Sequence, residues 1–94
     1  MRFEWDDRKN VSNQRKHDVS FELAQLTFFD PLRRDQEMQF VDGEERWLSV
    51  GRLPTGQILM VVSVEREEQG ERIIRLISAR KADKLERRSY EGNS

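Results

Sequence analysis

The sequence contains no cysteine and a single histidine, His17. The lack of cysteine excludes a disulfide framework and a thiolate metal site, and one histidine excludes a histidine-rich metal centre. No apolar run approaches the length that crosses a bilayer, and the N-terminus lacks the apolar core of a signal peptide. There is also no glycine-rich phosphate loop and no HExxH motif. We therefore expect a cytoplasmic protein with no membrane association, no metal and no cofactor.

The chain of 94 residues is short enough for one domain over residues 1–94. Charge is unevenly distributed along it. Charged residues make up 37% and hydrophobic residues 35%, and the net charge is only −1. Residues 72–88 hold seven basic and two acidic residues, a local charge of +5, whereas residues 35–45 hold five acids and no base. This asymmetry favours a local anion site over a general polyanion-binding surface.

Hydrophobic periodicity and turn signals predict an α+β domain of element order β-α-α-β-β-β-β-α. The strands should form an antiparallel meander, with two helices before it and one after it. The central strand should be the one at 57–65, because it is apolar on both faces. The predicted elements are an edge strand at 2–5, helices at 7–17 and from Ser20 to Asp30-Pro31, strands at 33–41, 45–53, 57–65 and 71–79, a helix at 80–91, a hairpin turn at Asp42-Gly43, and a disordered tail at 92–94.

The final helix has an unusual charge pattern at its predicted start. Arg80, Lys84 and Arg88 are four residues apart, so in a helix they would share one face and repel one another. Arg80 also stands in the first turn, where the helix dipole prefers anions. If Ser78 caps this helix, its free N–H groups and Arg80 converge on one spot, which predicts an anion site.

Arg75 lies in the middle of an apolar strand, and alternation places it on the same face as Ile73 and Ile77. A desolvated arginine requires a partner. One interpretation is a salt bridge to Glu65 or Glu45 on a neighbouring strand. The other is an arginine on the open face of the sheet that binds a phosphate.

Other candidate residues also have two interpretations each. Lys16 and His17 complement the dipole at the end of the first helix. Histidine is also the residue type whose unperturbed pKa is near neutral, so His17 is an acid–base candidate. Arg66 is either a solvated rim charge or part of an anion site. The aromatic residues are predicted to be core, with base stacking as the alternative for one of them, Trp47. The predicted aromatic core residues are Trp5, Trp47, Phe28 and Phe29.

Several segments together resemble the BrnT family of bacterial toxins across nearly the whole chain. No single motif carries this resemblance; it rests on the ordered set. The matching segments are Phe3-Glu4-Trp5-Asp6 with Lys9, Asn13 and Lys16-His17; Val19-Ser20-Phe21-Glu22 with Ala24; Phe28-Phe29-Asp30-Pro31; Glu44-Glu45-Arg46 with Gly51-Arg52; Glu65-Arg66; and Arg75-Leu76-Ile77-Ser78-Ala79-Arg80 with Ala82, Glu86-Arg87-Arg88 and Tyr90-Glu91.

The resemblance implies a RelE-like fold and a metal-independent endoribonuclease that inhibits translation. It further implies a BrnA-like ribbon-helix-helix antitoxin, a heterotetramer built on an antitoxin dimer, and a complex that represses its own promoter DNA. The chain departs from the family at Asp18, where glycine is usual, and in its acidic loop 67–70. Asp18 tolerates the left-handed conformation at moderate cost, so we expect the turn to form.

Metal-free RNA cleavage requires a base for the 2′-hydroxyl proton, cations for the phosphorane and an acid for the leaving oxygen. We expect Arg75 and Arg80 to hold the phosphate, with Arg66 next, and Glu45 and His17 to serve the proton steps. Residues expected to bind the RNA backbone are Lys9, Lys16, Arg46, Lys84 and Arg88. The alternative function is a non-catalytic, or inactivated, binding module whose basic C-terminal face docks an antitoxin or a nucleic acid.

Overall fold

A computed structural model describes residues 1–38 and 45–92 of the chain. Within these residues, five strands and three α-helices follow the predicted order, which confirms the α+β class. The elements are β1 (Arg2–Glu4), α1 (Asp7–His17), α2 (Phe21–Ala24), a 3₁₀ helix (Gln25–Phe29), β2 (Arg34–Glu37), β3 (Arg46–Arg52), β4 (Ile58–Glu68), β5 (Glu71–Lys81) and α3 (Lys84–Glu91). The predicted Asp42-Gly43 turn and the last two residues of the predicted tail lie outside the described residues.

The five strands form one sheet in the order β1-β5-β4-β3-β2, so the predicted edge position of β1 and the central position of β4 are confirmed. Strands β2 to β5 run antiparallel, as a meander requires. β1 is the exception, because it pairs with β5 in parallel and with only three residues of it, Ile73 to Arg75. The outer edge of β5 beyond Arg75 therefore has no strand beside it among the described residues.

One face of the sheet is covered by α1, α2 and the 3₁₀ helix, and we call it the covered face. Phe21, Leu59, Ile74 and Leu76 are fully buried there. Gly51 lets the 3₁₀ helix approach closely, since a Cβ at this position would lie 2.8 Å from Thr27 Cγ2. The covered face is thus the hydrophobic core of the domain.

α1 is polar on nearly all sides, and two buried asparagines attach it to the rest of the fold. Asn10 Oδ1 accepts from the N–H of Phe21, and Asn10 Nδ2 donates to the Glu22 carboxylate, each at 2.8 Å. Asn13 Nδ2 donates to the carbonyl of Ala79 in β5 at 2.8 Å, and Asn13 Oδ1 accepts from the Ala79 N–H at 3.2 Å. These hydrogen bonds join α1 to α2 and to β5.

Side-chain caps begin the first two helices. Asp6 accepts from the N–H groups at the start of α1, and Ser20 Oγ accepts from the N–H of Leu23. Asp18 ends α1 in the left-handed conformation with φ 58° and donates its N–H to the carbonyl of Gln14 at 2.9 Å. The turn therefore forms with aspartate where the family usually has glycine.

The opposite face, which we call the open face, is covered only at one end by α3. Tyr90 of α3 packs there against a small cluster that contains Val50, Ile58 and Met60. Among the described residues, α3 contains no buried side chain. The helix therefore rests on the open face mainly through one aromatic ring and polar contacts.

The predicted start of the last helix was wrong. β5 continues through Arg80 and Lys81, and α3 begins at Lys84 after Asp83, which is its N-cap. The Asp83 side chain accepts from the N–H of Glu86, and the Glu86 side chain accepts from the N–H of Asp83. This capping box fills the helix N-terminus, so Ser78 is not the cap and Arg80 does not share a helix face with Lys84 and Arg88.

Three other expectations also failed in part. The predicted second helix breaks into the four-residue α2 and the 3₁₀ helix. The regular alternation that was expected from Ile73 through Arg75 to Ile77 is interrupted, because a β-bulge pairs Ser63 with Leu76 and Val62 with Ser78 and leaves Ile77 without a pairing partner. Phe28 and Trp5 belong to the core, but Phe29 is 63% exposed.

Candidate functional site

The open face brings arginines from four different strands onto one surface. Cross-strand pairing places Arg75, Val64 and Arg46 in one row, and Glu4 continues that row on β1. A second row runs from Arg80 through Met60 and Val50 to Arg34. Because directly paired residues share a face, these side chains all lie on the open face. The face combines an apolar floor with guanidinium groups at its margins.

Arg75 is exposed on this face, in the middle of β5. Glu65, one of its two expected salt-bridge partners, pairs instead with Arg72, whose Nε lies 3.0 Å from Glu65 Oε2. Within the described residues, no carboxylate forms an ion pair with Arg75. The salt bridge to Glu65 is therefore wrong, and the arrangement matches the alternative of an arginine on the open face.

Arg66 is also on the open face, but two carboxylates hold it. Its NH2 group lies 3.1 Å from Glu4 Oε1, its NH1 group donates to Glu4 Oε2, and its Nε lies 2.7 Å from Glu68 Oε2. These hydrogen bonds raise the pKa of Arg66 and lower the pKa of Glu4. A phosphate would have to displace a carboxylate to reach this guanidinium. The pairing ties β1 to β4 across β5.

Arg80 is held in a similar way by α3. Its NH1 and NH2 groups lie 2.8 and 2.9 Å from the two oxygens of Glu86, and its side chain is 34% exposed. The hydrogen bonds to Glu86 raise the Arg80 pKa, although partial burial opposes the rise. Glu86 therefore joins the capping box of α3 to the arginine of the strand before it. Of the three predicted phosphate ligands, only Arg75 has no such partner among the described residues.

A separate cleft of about 270 Å³ lies between α1 and the edge of β5. Lys9, Lys16 and His17 line its helical side, and Ile77 and Ser78 line its strand side. The structure thus brings three of the predicted residues together. Ser78 also stands in the strand row next to that of Arg80, so the cleft borders the open face.

The remaining predicted residues are spread over the surface. Glu45 is exposed just before β3, and Lys84 and Arg88 are exposed on α3. Arg46 is half-buried on the open face, and its Nε has no hydrogen-bond partner among the described residues. Trp47 lies on the other side of β3 with Arg72 and Glu65, so the structure does not bring it to Arg75.

Asp30 connects the two sides of the sheet at the end of β3. Its carboxylate accepts from the Tyr90 hydroxyl, from the N–H of Arg52 at 2.7 Å and from the N–H of Leu32 at 2.9 Å. Burial favours the neutral acid, but these three hydrogen bonds outweigh it and lower the Asp30 pKa. The Arg52 guanidinium also lies 5.5 Å from the centre of the Tyr90 ring. This cluster anchors the end of α3.

Sequence reasoning missed the carboxylates that control two of the predicted arginines. Glu4 is 62 residues from Arg66 along the chain, and no local pattern joins them. The role of Glu86 could have been recognised from the sequence, because an acid three residues after Asp83 is a capping-box signature. The mistaken helix start hid that signature.

The fold and this surface define a small α+β protein with arginines on one face of its sheet. The family model described as the ribonuclease toxin BrnT of type II toxin–antitoxin systems matches residues 5–86. The chain therefore belongs to the BrnT family, which confirms the resemblance noted in the sequence. It is a ribonuclease toxin of a type II system, and such a system implies an antitoxin partner.

The chain is also similar to a crystal structure of the ribonuclease toxin BrnT from Brucella abortus. The TM-score is 0.60, at 20% sequence identity over 89% of this chain and 99% of that one. At this identity the likeness shows a shared fold. No curated protein matches the chain in sequence.

Among the described residues, no helix is long and apolar enough to cross a membrane. No group of three or more His, Cys, Asp or Glu side chains in the same residues is arranged to hold a metal ion.

Proposed function

We propose that the protein cleaves RNA internally without a metal ion, on the open face of the sheet. The observation that carries the proposal is Arg75, an exposed guanidinium in the middle of a buried strand with no ion-pair partner among the described residues. A planar guanidinium binds a phosphate with two parallel hydrogen bonds. Arg46 in the same row adds a second positive charge to this surface.

In the proposed reaction the ribose 2′-oxygen attacks the adjacent phosphorus, and the bond from phosphorus to the 5′-oxygen breaks. A base accepts the 2′-hydroxyl proton, and an acid donates a proton to the leaving 5′-oxygen. The products are a 2′,3′-cyclic phosphate and a 5′-hydroxyl. Arg75 stabilises the charge that develops on the phosphorane, the role that a metal ion fills in other nucleases.

Arg80 and Arg66 contribute if the phosphate replaces the carboxylates that now hold them. A phosphate reaches Arg80 more easily, because it has to displace only the carboxylate of Glu86. At Arg66 it has to displace the carboxylates of both Glu4 and Glu68. We therefore rank Arg75 first, Arg80 second and Arg66 third as phosphate ligands.

For the proton steps we propose His17 and Glu45. His17 shares its cleft with Lys9 and Lys16, whose charges steer the RNA backbone toward β5. Arg46, Lys84 and Arg88 extend the positive surface along the RNA. Glu45 directly precedes Arg46, which is the β3 residue of the Arg75 row.

The partners follow from the family. We propose a cytoplasmic toxin that inhibits translation by cutting RNA and is neutralised by a BrnA-like ribbon-helix-helix antitoxin. An antitoxin dimer with two toxins would form a heterotetramer that binds promoter DNA. Family membership supports an antitoxin; the antitoxin class and the stoichiometry are part of this proposal.

The experiment is an RNA cleavage assay with the purified chain in EDTA. We expect internal cleavage that EDTA does not reduce, and new 3′ ends that carry a 2′,3′-cyclic phosphate. Cleavage that disappears with EDTA, or ends that carry a 3′-hydroxyl, would contradict the mechanism.

A second candidate function is a binding module that cuts nothing. The two carboxylate-held arginines favour it, because they leave Arg75 as the single predicted phosphate ligand without such a partner in the described part of the chain. A folded protein that binds RNA but leaves it intact under all these conditions would establish this alternative.

A further inference from the structure

A groove of about 360 Å³ lies on the open face between α3 and strands β2 and β3. Leu48 and Val50 form its floor, Ser89 and Tyr90 of α3 form one wall, and Arg34 and Gln36 of β2 are among the residues that line it. Strand pairing places Gln36 opposite Leu48 and Arg34 opposite Val50, so both polar side chains stand on the same face as the floor. The groove combines an apolar base with polar groups at its rim.

The groove is continuous with the proposed cleavage surface. Arg34 ends the row that begins at Arg80 and passes through Met60 and Val50. With strands about 4.8 Å apart, Arg34 lies about 14 Å from Arg80 across the sheet. Glu86 lines the groove and also holds Arg80. An RNA strand lying across the sheet would therefore place a neighbouring nucleotide in this groove.

We infer that this groove binds one unpaired nucleobase of the RNA and that Gln36 reads its edge. The inference rests on the proposed function. A nucleobase is flat and apolar on its faces and polar on its edge, which matches a floor of Leu48 and Val50 with an amide at the rim. Arg34 neutralises a phosphate of the same nucleotide.

The chemistry of Gln36 predicts which base is preferred. Its amide offers two donor hydrogens and one acceptor oxygen. This pair matches adenine on either side of its amino group, because an accepting ring nitrogen lies beside that group on both edges. An unpaired pyrimidine can also pair with an amide, but its single ring covers less of the apolar floor of Leu48 and Val50 than a purine does. Protein recognition of RNA sequence acts mainly on unpaired bases of this kind. We expect the groove to favour adenine over cytosine and uracil.

The test measures binding of short 2′-O-methyl oligo(A), oligo(C) and oligo(U), which the proposed mechanism cannot cut. We expect the wild-type protein to prefer oligo(A) by about fivefold. Gln36→Ala should remove that preference. Gln14→Ala is the matched control, because Gln14 is an exposed glutamine on α1 outside the groove, and it should keep the wild-type ranking.

A second readout maps the cleavage positions on one unstructured RNA. We expect wild-type and Gln14→Ala cuts at a fixed distance from adenines, and a redistribution of cuts with Gln36→Ala. If the wild type, Gln36→Ala and Gln14→Ala all rank the three oligonucleotides in the same order, the inference is overturned and the cleavage mechanism is left intact. A groove that binds a protein partner would give that result. Base-selective binding that depends on Gln36 without any cleavage would support the inference and contradict the proposed mechanism.

Discussion

The two faces of the sheet are built from alternate residues of the same strands, yet they differ in burial and in charge. On the covered face, β4 and β5 contribute fully buried apolar side chains such as Leu59 and Leu76. On the open face, β5 contributes Arg75 and Arg80. A residue moves from one face to the other when its position along the strand changes by one.

Under the proposed function, this difference would separate stability from RNA cleavage within one small domain. The covered face supplies most of the apolar burial, so substitutions there should act on folding. The open face presents charged groups to solvent, so substitutions there should act on RNA with little effect on folding. Matched substitutions on the two faces test this division directly.

The largest effect is expected from Arg75→Ala on the open face. Removal of one group that stabilises transition-state charge lowers a rate by about 10²–10³-fold. Arg72→Ala is the control from the same strand, because Arg72 pairs with Glu65 on the side of the covered face. Initial cleavage rates and circular dichroism spectra of both variants give the comparison. A similar loss for both variants would mean that the two faces are not distinct.

The second prediction compares two leucines. Leu59→Ala on the covered face removes a fully buried side chain and should lower the free energy of unfolding by about 3 kcal/mol. Leu48→Ala on the open face, where the side chain is half-buried, should cost about 1 kcal/mol. Urea unfolding of the two variants measures both values. Equal costs would show that the open face is as much a part of the core as the covered face.

The third prediction concerns the arginine that α3 holds. Glu86→Gln removes the carboxylate that binds Arg80 and should free one positive charge for RNA. The slope of log K against log salt concentration for RNA binding should therefore become steeper by about one unit. Glu91→Gln, which weakens the exposed Arg52–Glu91 pair at the other end of α3, is the control. An unchanged slope with Glu86→Gln would argue that Arg80 remains out of reach of phosphates.

The smallest expected effect is a pH dependence of the free energy of unfolding, which arises from Asp30. The Asp30 pKa is lowered in the folded state, so its stabilising contribution is complete above the ordinary value of 3.8 and is lost as the pH falls through the folded pKa. Asp30→Asn lacks this contribution at every pH. The difference in unfolding free energy between the two proteins should therefore shrink as the pH falls below about 4. A constant difference down to pH 2 would contradict the assignment.

Most of the element order followed from periodicity, because alternation and caps are local signals. The helix at 7–17 was placed correctly, and local side-chain caps at Asp6 and Ser20 begin the first two helices. The start of α3 was misplaced because basic residues at 80 and 81 suit either a strand or a helix. The choice depends on pairing with Met60 and Leu59, which the sequence does not display.

The candidate site was less predictable than the fold. The bulge at Ile77 moves Ser78 onto the face of Arg75, and alternation alone cannot reveal such a shift. The pairing of Glu4 with Arg66 joins residues that are far apart in the chain. Arg75 was predicted as a candidate from its isolation in an apolar strand, a signal that needs no tertiary information.

Asn13 has a consequence that reaches beyond the attachment of α1. Past Arg75 no described strand lies beside β5, so its backbone groups would offer a template to the strand of another molecule. The Asn13 amide pairs with both the N–H and the carbonyl of Ala79 and so mimics one residue of a neighbouring strand. A single side chain thereby occupies both backbone groups that the strand of another molecule would need at this position.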